Sequence, residues 1–182
     1  SEKPSPEQLM QLPTVQEAYR RWISFGGHPP FSTPEKLTAN DAAELYVNHC
    51  ESQGIELAFV QDPDDVKMSI KWIPAAGLDQ FISGNFGIAP DQIQGDSYCY
   101  NAEKGYRCPM PMAAGADEYK LLSAEDMGDS RLQMKIEYTY KLPPELYDPG
   151  TAERKTIFTV VFSTENDGIL FQQAFFENVI PR

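Results

Sequence analysis

The sequence lacks a net positive charge. It has 15 Lys and Arg residues against 27 Asp and Glu residues in 182, which gives a formal charge of −12. Proteins that bind nucleic acids or anionic lipid surfaces through a basic field draw much of their affinity from phosphate neutralisation. A chain with this acidic balance is therefore not expected to bind nucleic acid.

The sequence also lacks a long apolar run. No stretch approaches the roughly 20 apolar residues that a membrane-spanning helix needs, and no charged-then-apolar signal segment opens the chain. We therefore predict no transmembrane segment in this chain. The first residues are polar and contain Pro4 and Pro6, which is typical of a linker or of residues left after processing or trimming. We predict a flexible N-terminal tether over 1–13 and a single domain over 14–182.

Histidine and cysteine are scarce, and the motifs of common enzymes are absent. The chain has two His and three Cys residues, without the Cys-x-x-Cys or His-x-x-x-His spacing of metal sites. It has no phosphate-binding loop, dinucleotide glycine pattern or Gly-x-Ser-x-Gly motif. The acidic clusters at 62–65 and 125–129 do not match the twelve-residue calcium loop, so we interpret them as solvated turns. The sequence predicts no catalytic residue, metal or cofactor and favours a noncatalytic protein over an enzyme.

Two of the cysteines flank a predicted β-hairpin. If residues 102–105 form a four-residue loop, Asn101 faces Tyr106 and Cys99 lies opposite Cys108. Opposed residues of antiparallel strands have Cα atoms ~4.5–5.5 Å apart, which permits a disulfide. We predict a Cys99–Cys108 disulfide, the alternative being two reduced thiols. Because disulfides persist in oxidising compartments, the prediction favours an extracytoplasmic or cell-surface location over a cytoplasmic one.

Helical patterns dominate the first half of the chain. The spacing of apolar residues predicts a helix that begins near Thr14 and ends before Gly26, and a second helix over about 40–53 with Gly54 after its end. A third, shorter helix should begin at Pro74 and end at Gly87.

Alternating patterns dominate the second half. Apolar and polar residues alternate through 55–59 and 66–72 on either side of a turn at 61–65, which predicts a hairpin or one strand with an irregular approach. They also alternate through 131–142, as expected for a long antiparallel strand. Nearly continuous apolar runs at 155–164 and 169–178 indicate central strands, joined through the turn Asn166-Asp167-Gly168. Together these elements predict an α+β fold with N-terminal helices packed on a curved, mainly antiparallel sheet.

This order of elements resembles the nuclear-transport-factor-2-like and cystatin-like folds across about 14–180. Separately, Phe86-Gly87-Ile88, Ser97-Tyr98 and Glu103-Lys104-Gly105-Tyr106 are similar to a pattern of uncharacterised extracytoplasmic lipoprotein domains of Gram-positive, Clostridia-like bacteria. That resemblance implies a lipid anchor upstream, although this chain contains no lipidation cysteine. Neither resemblance implies a catalytic motif.

Tyrosines supply the candidate binding residues. On the predicted hairpin, the candidates are Tyr98, Tyr100 and Tyr106, beside Arg107. Of these, Tyr98, Tyr100 and Arg107 should share one face, a combination enriched in binding hot spots. The alternative is that this face packs against the loop at 109–115. Tyr138 and Tyr140 lie on the inward row of the long alternating strand, where they either pack in the core or line an apolar cavity.

The sequence therefore predicts an exported, noncatalytic domain that binds a protein or small ligand at the cell envelope. The competing hypothesis is an enzyme or small-molecule carrier with a pocket between the helices and the sheet.

Overall fold

The computed structural model describes residues 2–65, 67, 70–109, 115–141 and 153–177. Within them, helices and antiparallel strands form an α+β fold, as the sequence predicted. The helices are α1 (Pro6–Met10), α2 (Pro13–Ile23), α3 (Ala39–Ser52) and α4 (Ala75–Phe86). The strands are β1 (Val60–Gln61), β2 (Lys71–Ile73), β3 (Tyr100–Asn101), β4 (Gly105–Arg107), β5 (Glu118–Gly128), β6 (Arg131–Lys141), β7 (Glu153–Ser163) and β8 (Leu170–Phe176).

The chain divides into two compact units. Residues 1–23 and 115–182 form the long-sheet unit, which contains β5–β8, and residues 24–114 form the short-sheet unit, which contains β1–β4. The single domain predicted over 14–182 stays a prediction. Among the described residues, no helix has the length and apolar character needed to cross a membrane.

The long-sheet unit is an antiparallel meander in the order β5-β6-β7-β8, with α1 and α2 against β5 and α2 also against β6. The alternation predicted for β6 is confirmed at Met134, Ile136 and Tyr138, which are buried, whereas Leu132 and Tyr140 are half-buried and Leu142 lies outside the described residues. Trp22 of α2 packs on this row: its ring centroid lies 5.8 Å from that of Phe158 and 5.1 Å from that of Phe171. Its indole N–H donates a 2.8 Å hydrogen bond to the Tyr138 hydroxyl.

Residues within the range predicted as a flexible tether are helical. Ser5 and Gln8 form a reciprocal capping box at the start of α1, which satisfies two backbone N–H groups that a helix end otherwise leaves unpaired. Leu9 of this helix is buried. The order of the remaining tether residues stays a prediction.

The hairpin predicted between the last two strands is confirmed, but β8 lies elsewhere in the sheet than its sequence indicated. Asn166 and Asp167 both adopt positive φ, 56° and 58°, as short-hairpin residues of this type commonly do. The apolar run of 169–178 predicted a central strand. In the described sheet, β8 is the edge strand and β7 is central, because β8 follows β7 in a simple meander.

The short-sheet unit has the strand order β1-β2-β4-β3. Thr38 and Asp41 form a capping box at the start of α3, and Gly54 follows its end with φ +67°. Helix α4 ends at Gly87, also with φ +67°. The predicted alternation through 55–72 yields only the short pair β1–β2, and Val66, Met68 and Ser69 of that stretch lie outside the described residues.

The predicted Cys99–Cys108 disulfide is wrong for this structure, in which both thiols are free. Strand β3 pairs Asn101 with Gly105 and Tyr100 with Tyr106, so the loop has three residues instead of four. Cys99 consequently faces Arg107, whose backbone N–H donates to the Cys99 carbonyl at 2.8 Å. Because successive residues of a strand point to opposite faces, a shift of one residue separates the two thiols.

Candidate binding surface

The hairpin β3–β4 is anchored by Tyr106. This side chain is fully buried, donates a 2.7 Å hydrogen bond to Asp79 Oδ1 and accepts one from Gln94 Nε2 at 3.1 Å. Burial, and next the hydrogen bond to Asp79, raises the pKa of Tyr106. The Tyr100 ring lies 5.0 Å from the Tyr106 ring. These two tyrosines thus share one face and hold the hairpin in place.

The opposite face carries an exposed aromatic-cation pair, which we call the Tyr98–Arg107 pair. The Tyr98 side chain is 66% exposed, although it is a large aromatic group. The Arg107 guanidinium carbon lies 4.0 Å from the Tyr98 ring centroid, within cation–π distance. Within the described residues, Arg107 forms no ion pair with a carboxylate. Its N–H donors therefore offer a planar fork beside an exposed ring.

The sequence predicts that Tyr98, Tyr100 and Arg107 lie on one face of the hairpin. The structure brings Tyr98 and Arg107 together, whereas the one-residue register change places Tyr100 with Tyr106. Residues 110–114 of the loop against which this face would pack in the alternative prediction lie outside the described residues.

A second aromatic-cation contact lies beside the pair. Trp72 of β2 is directly opposite Arg107, and the Lys104 ammonium lies 5.4 Å from the Trp72 ring. Asp62 binds both groups: it accepts a 2.9 Å hydrogen bond from the Trp72 indole N–H and lies 3.3 Å from Lys104 Nζ. The Trp72 hydrogen bond, followed by one from the Asp64 backbone N–H, lowers the pKa of Asp62.

We expect Asp62 to make the stability of this region dependent on pH, because its carboxylate accepts the hydrogen bond from Trp72 and lies near Lys104. Its folded-state pKa is below the unfolded value of about 4, so the carboxylate's stabilising effect is complete above that pH and is lost as pH falls through the folded value. We expect the urea midpoint of wild type to exceed that of Asp62→Asn at neutral pH, and the difference to shrink as pH falls below about 4.

Asp64→Asn is the matched control for this prediction. Its carboxylate is 89% exposed and lies 3.9 Å from Lys104, so the variant should show no comparable pH-dependent difference in urea midpoint. If the urea midpoint of wild type exceeded that of Asp62→Asn by the same amount throughout the acid range, the pH dependence could not be assigned to Asp62.

The other two candidate tyrosines belong to the long-sheet unit. Tyr138 is 1% exposed and its hydroxyl accepts from Trp22, so it is a core residue in this structure. Tyr140 is half-buried, 6.5 Å from the Tyr138 ring. A cavity of about 300 Å³ lies at α1 and β5, and neither tyrosine lines it. Its lining residues are Lys3, Pro4, Pro6, Leu9, Ala124, Glu125, Asp126 and Gly128.

The structure also brings together polar groups that the sequence analysis did not connect. Ser24 Oγ lies 2.8 Å from His49 Nδ1, although the two residues are far apart in the sequence and no motif marks them. The adjacent Cys50 is buried next to Tyr46. Burial raises the pKa of the Cys50 thiol. Burial is also the largest cause of the raised pKa of Tyr46, which is about 12. Raised thiol pKa values disfavour a reactive thiolate.

Among the described residues, no three or more His, Cys, Asp and Glu side chains are grouped in a way that could hold a metal ion. Comparison of the chain with protein-family models, with curated proteins and with solved structures finds no match.

Proposed function

We propose that the chain is an exported, noncatalytic domain of the extracytoplasmic lipoprotein type, which binds a partner at the cell envelope through the Tyr98–Arg107 pair. The observation that carries the proposal is the guanidinium held 4.0 Å over a ring that is 66% exposed. Tyr and Arg are, with Trp, the residues enriched in binding hot spots.

The pair is preorganised for binding. Tyr106 is fixed by Asp79 and Gln94 and thereby positions β4, so the adjacent Arg107 starts from an ordered backbone. Contact with the Tyr98 ring limits the rotamers of Arg107. This reduces the side-chain entropy that Arg107 loses on binding. The partner group that suits the pair has an acceptor, such as a carboxylate, for the guanidinium and an apolar group for the open face of Tyr98.

Binding to an envelope extract tests the proposal. Immobilised wild-type chain should retain a partner that mass spectrometry identifies, and Tyr98→Ala/Arg107→Ala should bind that purified partner at least about tenfold more weakly. The thermal midpoint should change little, because Tyr98 is mostly exposed. Arg131→Ala is the control, since it removes an exposed arginine from the long-sheet unit.

Two results would contradict the proposal. One is a double variant that loses thermal stability while its affinity stays at the wild-type value, which is the behaviour of a packing contact. The other is a gene sequence that, upstream of the Ser1 codon, encodes no signal peptide. A signal peptide ending in a lipidation cysteine would support both export and anchoring.

A further inference from the structure

We propose that two copies of this chain form a symmetric dimer by antiparallel pairing of their β8 strands, with Phe175 at the two-fold axis. This inference is independent of the proposed partner binding. It begins from a mismatch: the sequence of β8 is typical of a central strand, whereas the described sheet places β8 at its edge. A second copy on that edge would make β8 central in a continuous eight-stranded sheet.

Strand β8 lacks the charges and prolines that commonly protect an edge, and its one bulge against β7 is confined to 171–173. Its sequence, LFQQAFF, contains no charged residue and no proline, although Lys, Pro and inward charges are, with bulges, the usual means of preventing edge pairing. The opposite edge strand, β5, carries charges such as Glu118, Lys120 and Glu125. Phe175 and Phe176 of β8 remain 39% and 44% exposed.

The hydrogen bonds to β7 show which backbone groups of β8 point outward. The Glu177 N–H donates to the Ile157 carbonyl at 2.9 Å, and Phe176 is paired with Phe158. Because backbone groups alternate along an antiparallel strand, the N–H and C=O groups of Glu177 and Phe175 face β7. Those of Ala174 and Phe176 therefore face away from β7, toward the position of an added strand.

These outward groups fix the register of the dimer. Ala174 of one copy pairs with Phe176 of the other, and the reverse pair follows by symmetry, which gives four N–H···O=C bonds. Phe175 then meets its own counterpart in a non-hydrogen-bonded pair, where Cα atoms lie about 4.5 Å apart and side chains are closest. The only bulge between β7 and β8 lies between Val161 and Phe162, opposite 171–173, so 174–177 are regularly paired.

Charge and polarity suit this self-pairing. In a chain of formal charge −12, most surfaces of two copies repel each other, but the paired segment of β8 is uncharged. At each end, the register places the Gln173 amide opposite Glu177 of the other copy. The Glu177 carboxylate is already neutralised by Lys135 Nζ at 2.5 Å and can still accept a hydrogen bond from an amide.

Sedimentation velocity over a range of concentrations tests the dimer. We expect wild type to dimerise and Phe175→Lys to dimerise at least about tenfold more weakly. Met127→Lys is the matched control: Met127 is 41% exposed on β5, at the other edge, and the substitution adds the same charge. It should leave the dimer constant unchanged.

Cysteine cross-linking tests the register and does not depend on the lysine variant's folding. Oxidised Phe175→Cys should form a disulfide between copies at residue 175, identified by peptide mapping, whereas Gln173→Cys should not cross-link to its own counterpart. A wild-type chain that stays monomeric to about 100 µM would overturn the proposal, since that corresponds to a dimerisation free energy weaker than about 5.5 kcal/mol. So would a dimer that Phe175→Lys leaves unchanged, or a preferential cross-link at 173.

Discussion

Replacing Gly105 with alanine is expected to lower the free energy of unfolding by about 3 kcal/mol or more and to disrupt the Tyr98–Arg107 pair. Gly105 has φ +96°, which alanine adopts only with strain, and a Cβ there would lie 2.1 Å from the Ile73 carbonyl oxygen. That oxygen belongs to the backbone of β2 and cannot rotate away. Strand β4 would therefore have to separate from β2, where it pairs Arg107 with Trp72.

Two other glycines separate the effect of a positive φ from the effect of a close backbone contact. Gly54 has φ +67° but no atom within 4 Å of a Cβ, whereas Gly95 has neither a positive φ nor a close neighbour. In urea unfolding, we expect Gly95→Ala to be close to wild type and Gly54→Ala to lose about 1 kcal/mol from strain alone. Gly105→Ala should lose clearly more than Gly54→Ala. Equal losses at 54 and 105 would show that the contact with Ile73 is not decisive.

Helix ends were predictable because their determinants are local. Pro74 and the glycines at 54 and 87 act within one turn of the helix, and the structure places α3 and α4 within a residue of the predicted bounds. The alternation of β6 was predictable for the same reason. A strand with one buried face has a strongly specified register.

The hairpin register was not predictable from local sequence, because loops of three and four residues both accommodate Gly105. Two longer-range features decide it: the approach of Ile73 to Gly105 and the pairing of β4 with β2. The Asn101 side chain also accepts hydrogen bonds from the N–H groups of Glu103 and Lys104, which tightens the turn. This shift of one residue in the pairing register separates Cys99 from Cys108. It also makes Tyr106 the cross-strand neighbour of Tyr100.

Whether Tyr98 and Arg107 bind a partner stays a prediction, but their contact in the structure shows what the sequence could not supply. Tyr98 and Arg107 were recognised by type, but no spacing rule places a guanidinium over a ring in the loop before β3. The edge position of β8 was missed for a related reason, since apolar composition reports burial and not strand order. If the proposed dimer forms, β8 is a central strand of the assembled sheet, and its apolar composition is explained.

Trp22→Ala is expected to lower the free energy of unfolding by about 3–5 kcal/mol, as is usual when a large buried aromatic residue is truncated. Trp22 has no exposed surface and contacts the rings of Phe158 and Phe171, so its loss leaves a cavity against the sheet. Trp22→Phe retains a ring but removes the donor to the Tyr138 hydroxyl. We expect this variant to lose less stability than Trp22→Ala.

A double-mutant cycle separates the Trp22–Tyr138 hydrogen bond from packing. Trp22→Phe leaves the Tyr138 hydroxyl without this bond in a buried site, so removing the hydroxyl as well, in Trp22→Phe/Tyr138→Phe, should cost less than the sum of the single changes. A coupling of about 1 kcal/mol in urea unfolding is the expected size for such a bond. Tyr140→Phe serves as the control, with additive effects against Trp22→Phe. Additivity at Tyr138 as well would mean that the hydrogen bond from Trp22 to the Tyr138 hydroxyl does not contribute to stability.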